Sequence, residues 1–389
     1  MKHYDIIFWG KTSFDQPLKL TALNMAESLA QYNRVLYMEP SIGLFRLILS
    51  KFGFFNNYFS FATEVKRNLF VHKPFFILPF SRLRLVKRVN QAFVLWRIKK
   101  AIIKLKFGKY INWFWKYEDF VFIEKLGNHF SVFEFTDDQS LFPVFKNEME
   151  RNTFKTERDR IIKKADIVFT NSPIFRNELK TLNQQTFYYP HGTQVDHFRK
   201  SLLETTEIPR DIDAIQKPIV GWIGALDAFR LDFDLISHIA RKRPDYSFVF
   251  IGRIGVVDTT KMDDLPKAKN IFYLGYRSFY TLPGYIKAFD VCIIPNDTSS
   301  PYIRANQPMK FFEFLAAGKP IVTTDIPSLK EFEDVAFISK NKEDFLKNID
   351  LALSEETDVC SGKRLDRGRE LTWYNRVNKM LQKLRKYGA

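Results

Sequence analysis

Along the C-terminal half of the chain, short runs of β-branched and aromatic residues alternate with longer segments whose apolar residues recur at helical spacing. PIVGWIG (218–224), SFVFIG (247–252), NIFYLG (270–275), VCIIPN (291–296), PIVTTD (320–325) and VAFIS (335–339) read as strands. LDFDLISHIARKR and PMKFFEFLAAG, lying between them, read as helices. Strands apolar at nearly every position are buried on both faces, and their alternation with helices predicts a parallel, doubly wound sheet. The N-terminal half repeats this grammar more loosely, with DIIFWG (5–10), RVLYME (34–39), YINWFW (110–115), SVFEFT (131–136), DIVFTN (166–171) and TFYYP (186–190). The expected class is therefore α/β, with two Rossmann-like doubly wound domains facing each other across a cleft. Their expected bounds are 1–206 and 207–371, with the polar, proline-flanked EIPRDIDAIQKP (207–218) as the linker. The last segment, TWYNRVNKMLQKLRKY, predicts a helix capped by Thr372 with Trp373, Val377, Met380, Leu381 and Leu384 on one face. It either completes the second domain or, as a separate element over 372–389, crosses back to the first.

The composition fits this picture: 389 residues are too many for one compact core, and 46% hydrophobic with 27% charged residues is ordinary for a globular chain. The 40 Phe, 16 Tyr and 6 Trp exceed what two cores need, so part of the aromatic surplus is expected on a surface. The apolar run near the N-terminus is too short for a secretion signal, and no segment approaches the roughly 18–20 apolar residues of a membrane span. Cys292 and Cys360 form no metal or redox spacing, so a reduced, cytoplasmic compartment is expected.

Charge alters the picture in one region. The net charge is +16, and no Asp or Glu occurs between Glu64 and Glu118, where Lys and Arg recur throughout. Within it, RLRLVKRVNQAFVLWRIKKAIIKLK combines helix-spaced Leu83, Leu85, Val86, Val89, Phe93, Trp96, Ile98 and Ile102 with cations, among them Arg97, Lys99, Lys100 and Lys104. LFRLILSKFGFFNNYFSF, upstream, is aromatic and nearly uncharged. This region is expected to face an anionic membrane surface, with the protein peripherally attached to the inner face of the cell membrane. An ordinary domain helix with a solvated basic face is the alternative. Nucleic acid is not an expected partner, because no recognised binding module is present.

Ligands of open parallel sheets bind beyond the carboxyl ends of strands, so chemistry-bearing residues there are the site candidates. Gly221 and Gly224 lie in a strand–turn–helix segment where a glycine lets backbone approach a phosphate, or simply makes a tight turn. Arg253 follows SFVFIG, and Lys310 opens the helix after NQP, with Met309 beside it. The two cations are candidates to clamp a diphosphate. Glu313, one helical turn beyond Lys310, can accept both hydroxyls of a ribose, pair with Lys310, or both. Asp137 and Asp138 end SVFEFT; one of them is a candidate general base for a sugar hydroxyl, with a turn or helix cap as the alternative. Of six histidines none has zinc-ligand spacing, and only His191, in YYPHGTQVDHF, is expected near the cleft. No metal site is expected. The absence of G-x-G-x-x-G, Walker and G-x-S-x-G sequences argues against nicotinamide enzymes, P-loop NTPases and serine hydrolases.

From PMKFFEFLAAGKPIVTTDIP outward, the chain resembles GT-B glycosyltransferases, specifically family 4-like proteins of the teichuronic acid and capsule type. The resemblance runs through RVLYMEP, VFEFTDDQSLF, ADIVFTNSPIFRNELK, YYPHGTQVDHF, GWIGALDAFRLDFDL, FIGRIG and YLGYRSFYTLPGYIKAFDVCIIP to the terminal TWYNRV. It implies a nucleotide-sugar donor, a UDP-sugar in the first instance, acting as co-substrate with no further cofactor. The donor would lie on the C-terminal domain, its base by the Tyr276 and Arg277 backbone, its ribose on Glu313 and its diphosphate on Lys310 and Arg253. Asp137 or Asp138 would correspond to the catalytic base. The acceptor would be a lipid-linked or polymeric saccharide entering from the N-terminal domain. Many members carry a Glu eight residues before the ribose-binding one, where this chain has Ala305; Gln307 or Arg304 are candidate substitutes. That departure leaves the sugar and the anomeric outcome open, and gives a second reading, a catalytically inactive nucleotide-binding scaffold.

Overall fold

The computed structural model describes residues 3–14, 21–44, 60–80, 83–127, 130–145, 147–256 and 258–387. Two sheets organise the chain, and all the predicted strands occur in them. The first contains β1 (Asp5–Trp9), β2 (Arg34–Met38), β4 (Thr63–Lys66), β5 (Leu69–His72), β7 (Tyr110–Phe114), β8 (Phe130–Phe135), β9 (Ile167–Thr170) and β10 (Thr186–Tyr188). Its order is β10-β9-β8-β7-β1-β2-β5-β4, parallel except for the β4–β5 hairpin, while β3 (Ile42–Gly43) and β6 (Phe75–Phe76) pair separately. The second contains β11 (Ile219–Ile223), β12 (Ser247–Ile251), β13 (Ile271–Gly275), β14 (Val291–Ile294), β15 (Ile321–Thr324) and β16 (Phe337–Ser339). Its order, β13-β12-β11-β14-β15-β16, is that of a Rossmann sheet.

The hairpin was not foreseen. Its outer strand, TEVK, is charged and mostly exposed, and the turn places Asn68 at φ 63°, a left-handed conformation that asparagine tolerates. Such an edge strand carries no apolar run to reveal it.

The second core begins earlier than the expected boundary at 206/207, because Val195 and Phe198 pack among the residues of the second sheet. Between the cores, the linker forms only the short helix Arg210–Asp213, whose Ile212 is buried in the second core.

The terminal helix, Trp373–Lys386, crosses back to the first domain. Trp373, Val377, Met380, Leu381 and Leu384 share one core with Ile6, Phe8, Leu29, Val35 and Trp113. Thr372 caps it as expected, accepting from the Asn375 N–H at 3.0 Å. Gly192 permits the return: a Cβ there would lie 2.7 Å from the Trp373 Cα, so any side chain would push the helix away. Beneath the helix, the buried Arg376 donates to Glu134 on β8 at 2.5 Å and to the Pro190 carbonyl at 3.0 Å. Burial raises the proton affinity of Glu134, a shift that Arg376 partly opposes.

The helix Arg84–Lys104 differs from the expectation in having two apolar stripes. Val94, Ile98 and Ala101 are buried, whereas Leu85, Val89, Trp96 and Ile103 are exposed at helical spacing. Two of its cations are structural rather than free. Arg97 is buried, lying over the Phe75 ring at 4.7 Å, and Lys104 donates to the Ala62 carbonyl at 2.9 Å. Arg84, Lys87, Arg88, Lys99 and Lys100 are exposed beside the outer stripe. The aromatic segment LFRLILSKFGFFNNYFSF falls largely outside the described residues, which omit 45–59.

Candidate functional site

Strand order decides where a ligand can sit. In a doubly wound sheet, the two strands where the order reverses send their connections to opposite faces and leave a crevice at their carboxyl ends. In the second sheet that switch point lies between β11 and β14, and in the first between β1 and β7. The two switch points face each other. A cavity of about 390 Å³ between them is lined by Lys11 and Thr12 after β1, Trp115 after β7, and Thr136 and Asp137 after β8. From the other side come Trp222, Gly224, Ala225 and Arg230 from β11 and its following turn, Asn296 after β14, and the segment 306–310.

Of the two candidate carboxylates, the structure brings one into the cavity. Asp137 accepts from the Tyr302 hydroxyl at 3.1 Å and from Asn306 Nδ2 at 3.3 Å through Oδ1, and from Thr136 Oγ1 at 3.2 Å through Oδ2. Burial and the Asp137 charge hold the Tyr302 phenol well above its usual pKa, so it stays a donor. Asp138 corrects the expectation of a base at either position. It is buried, ion-paired with the buried Arg158, and caps the turn Gln139–Leu141 by accepting from Ser140 N at 3.0 Å and Ser140 Oγ at 2.6 Å. Both its oxygens are occupied, and it does not face the cleft.

On the opposite wall, Gly224, Met309 and Lys310 line the cavity as expected. Glu313 lies behind them, buried, accepting from Lys310 Nζ at 2.6 Å. The helix Met309–Ala316 begins after Pro308 with no side-chain cap, and Pro308, Met309 and Lys310 at its start line the cavity. Gly221 has a different role: a Cβ there would meet the Phe289 ring at 2.3 Å, so it is a packing position inside the sheet.

Arg253, Tyr276 and Arg277 are not brought to the cavity lining. They follow β12 and β13, to one side of the switch point; Arg253 lies over the Tyr276 ring at 4.5 Å, and Arg277 donates to Asp211 at 2.6 Å. The cation that reaches the cavity with Lys310 from this wall is Arg230, which sequence reasoning passed over. It is held by the fully buried Asp227 at 3.0 Å. Lys11, Trp115 and Asn296 were also missed, although Lys11 follows a predicted strand and the other two end one. His191 reaches the cavity as expected but is buried against Asn171 at 2.5 Å, with its pKa pushed down to about 3 by burial.

The segment carrying Ala305 docks the two domains together. Ala305 sits in the first domain's core cluster and its carbonyl accepts from Ser172 Oγ, while Gln307 donates to the Tyr188 hydroxyl at 3.1 Å. Phe142 of the first domain packs edge-on against the stacked pair Phe229 and Tyr302, at ring distances of 5.8 and 5.0 Å.

Residues 217–355, which hold the second sheet, the Gly224 turn and the Lys310 helix, match the family of glycosyl transferases group 1. This part of the chain is similar to group 1 glycosyl transferases. Within the whole sequence, 191 residues are 28% identical to TuaH of Bacillus subtilis (strain 168), a glycosyltransferase named for teichuronic acid biosynthesis. That match covers 48% of this chain and 47% of the relative, so the chain spans about half the length of the curated relative it matches. Solved structures share the entire architecture. Sucrose-phosphate synthase from Thermosynechococcus elongatus superposes with a TM-score of 0.67 over 98% of both chains at 14% identity. HepE from Anabaena, in complex with UDP-glucose, does so with 0.66 over 99% of this chain and 100% of that one at 12% identity. The fold is GT-B, and the match to group 1 glycosyl transferases falls in its C-terminal half.

Proposed function

We propose that the protein is a nucleotide-sugar-dependent glycosyltransferase whose group 1 domain holds the donor and whose N-terminal domain presents the acceptor. The observation that carries this reading is the meeting of Arg230, Lys310 and the uncapped start of Met309–Ala316 at one switch point, opposite Asp137 at the other. A diphosphate leaving group gains charge as the glycosidic bond breaks, and two fixed cations with a helix N-terminus neutralise it without metal. In this reading Glu313 takes the ribose while retaining Lys310, the Gly224 turn lies against the diphosphate, and the base extends toward the Tyr276 and Arg277 backbone. Asp137 removes the proton of the acceptor hydroxyl. The structural relative crystallised with UDP-glucose supports a UDP-sugar as the first donor to try.

The acceptor is proposed to be a lipid-linked or polymeric saccharide met at the inner face of the cell membrane. No helix among the described residues is long and apolar enough to cross a membrane. The exposed stripe Leu85, Val89, Trp96 and Ile103, flanked by Arg84, Arg88, Lys99 and Lys100, supports peripheral attachment, at roughly 1 kcal/mol for each engaged cation. Binding to phosphatidylglycerol vesicles should be weakened by salt and largely removed by changing Trp96, Lys99 and Lys100 to Gln; a protein indifferent to such vesicles at low salt would favour a soluble acceptor.

A thermal-shift series with UDP-, GDP- and dTDP-sugars tests the donor, since a ligand of the native state raises Tm. Ala305 keeps the inactive scaffold as a second reading. Turnover of the stabilising nucleotide sugar with a membrane lipid extract separates the two, because a scaffold binds without turnover.

A further inference from the structure

The cavity's three cations are not equivalent. Arg230 is hydrogen-bonded to Asp227 at 3.0 Å and Lys310 to Glu313 at 2.6 Å, so each reaches the cavity with its own carboxylate. Lys11 has no such partner among the described residues. Its ammonium donates to Thr136 Oγ1 at 3.2 Å, while the nearest carboxylate oxygen, Asp137 Oδ2, is 3.9 Å away, outside hydrogen-bond reach. Burial lowers its pKa, a cost that Asp137 and Glu134 only partly oppose. The ammonium lies over the Trp115 ring, 4.8 Å from its centroid.

Three further groups on this wall are unsatisfied among the described residues, His191 Nδ1 being one of them, and Trp222 Nε1 and Asn296 Oδ1 are unsatisfied on the facing wall. Trp115 is 3% exposed, and among the described residues neither its indole Nε1 nor the buried Thr12 Oγ1 has a hydrogen-bond partner. Leaving such groups unpaired in the interior is costly, so their persistence at one spot points to an occupant. The ammonium and the indole N–H only donate, and the hydroxyl can. A neutral sugar hydroxyl can accept from these donors but offers no charge to the half-buried Lys11 ammonium. A carboxylate or phosphate accepts from all of them through several oxygens and compensates the ammonium.

We propose that Lys11, Trp115 and Thr12 form a subsite for an anionic substituent, a carboxylate or a phosphate, on the acceptor saccharide. The inference rests on the glycosyltransferase reading and narrows its acceptor to an acidic sugar. The subsite lies beside Asp137, so the anion anchors the sugar whose hydroxyl that carboxylate deprotonates.

The test is a calorimetric titration of the UDP-saturated protein with methyl β-D-glucuronide, glucose 6-phosphate and methyl β-D-glucoside. At least one anionic probe should bind about tenfold more tightly than the glucoside, as expected for a charge-assisted contact. Which probe does so distinguishes a carboxylated from a phosphorylated acceptor. Lys11→Gln should abolish the preference without changing UDP affinity, and Trp115→Phe should weaken the preferred probe while leaving UDP affinity intact. Equal affinity for the three probes, no binding of any, or a preference that survives Lys11→Gln overturns the proposal. A parallel loss of UDP affinity in Lys11→Gln overturns it too, by moving that lysine to the donor. Failure of UDP itself to bind counts against the donor reading, and the probe titration repeated without nucleotide then judges the subsite separately.

Discussion

The two walls of the cleft are built from the same kind of sheet at the same kind of switch point, yet they carry opposite equipment. The C-terminal wall presents Arg230 and Lys310, both already neutralised from behind by buried carboxylates, and an uncapped helix start. Asp137 is the acidic residue of the cavity lining, and it comes from the N-terminal wall with Lys11. A wall whose cations are pre-positioned suits a ligand of fixed charge, such as a diphosphate. The other suits a group whose hydroxyl must lose a proton. The difference teaches that a GT-B cleft is asymmetric in electrostatics rather than in fold.

The change that should break this asymmetry most severely is Asp137→Asn. Transfer should fall by about 10²–10⁴, the range of general-base catalysis, while nucleotide binding stays intact. Steady-state rates with a donor titration alongside check both halves. Asp138→Asn is the contrasting control: it leaves the buried Arg158 without its principal partner, at a cost of about 3–5 kcal/mol in stability. Its denaturation midpoint should drop, but folded enzyme should retain its turnover. Loss of turnover with stability unchanged would reverse the roles given to the two aspartates.

On the opposite wall, Lys310→Ala, Glu313→Ala and Arg230→Gln should each weaken nucleotide affinity by about 1.5–3 kcal/mol, read by calorimetry. Arg253→Ala should change it far less, because that side chain stacks on Tyr276 away from the cavity. The smallest effect concerns pH. Burial pushes His191 down to about 3 and His72 down to about 4, so both are neutral in the fold when the unfolded chain, with ordinary histidines near 6.5, has begun to bind protons. Stability should therefore fall as pH drops from about 6.5 toward 4, and the slope should flatten in a His72→Gln, His191→Gln variant.

The contrast also explains what the sequence could reveal. PIVGWIG and VCIIPN announce buried parallel strands, and PMKFFEFLAAG a helix packed behind them, because continuous burial leaves a continuous apolar signal. Strand order leaves no such signal. The ends of β11 and β12 look alike in sequence, so Arg253 was an equal candidate until the order put β12 beside the switch point rather than at it. Arg230 was hidden differently: in LDAFRLDFDL it reads as a solvated residue near a helix start, and only the burial of Asp227 shows that it is held in place. Lys11 was within reach, since it stands one residue beyond the predicted strand DIIFWG. The Asp137–Asp138 pair could not be divided from sequence because capping and catalysis select the same residue type at a strand end.

The central claim, that one wall binds the leaving nucleotide and the other the incoming hydroxyl, is tested most directly by one calorimetric comparison. The nucleoside diphosphate giving the largest thermal shift is titrated into the wild type, Arg230→Gln and Asp137→Asn. The account predicts that affinity falls in Arg230→Gln and is unchanged in Asp137→Asn. Equal affinity in all three, or a loss confined to Asp137→Asn, would contradict it.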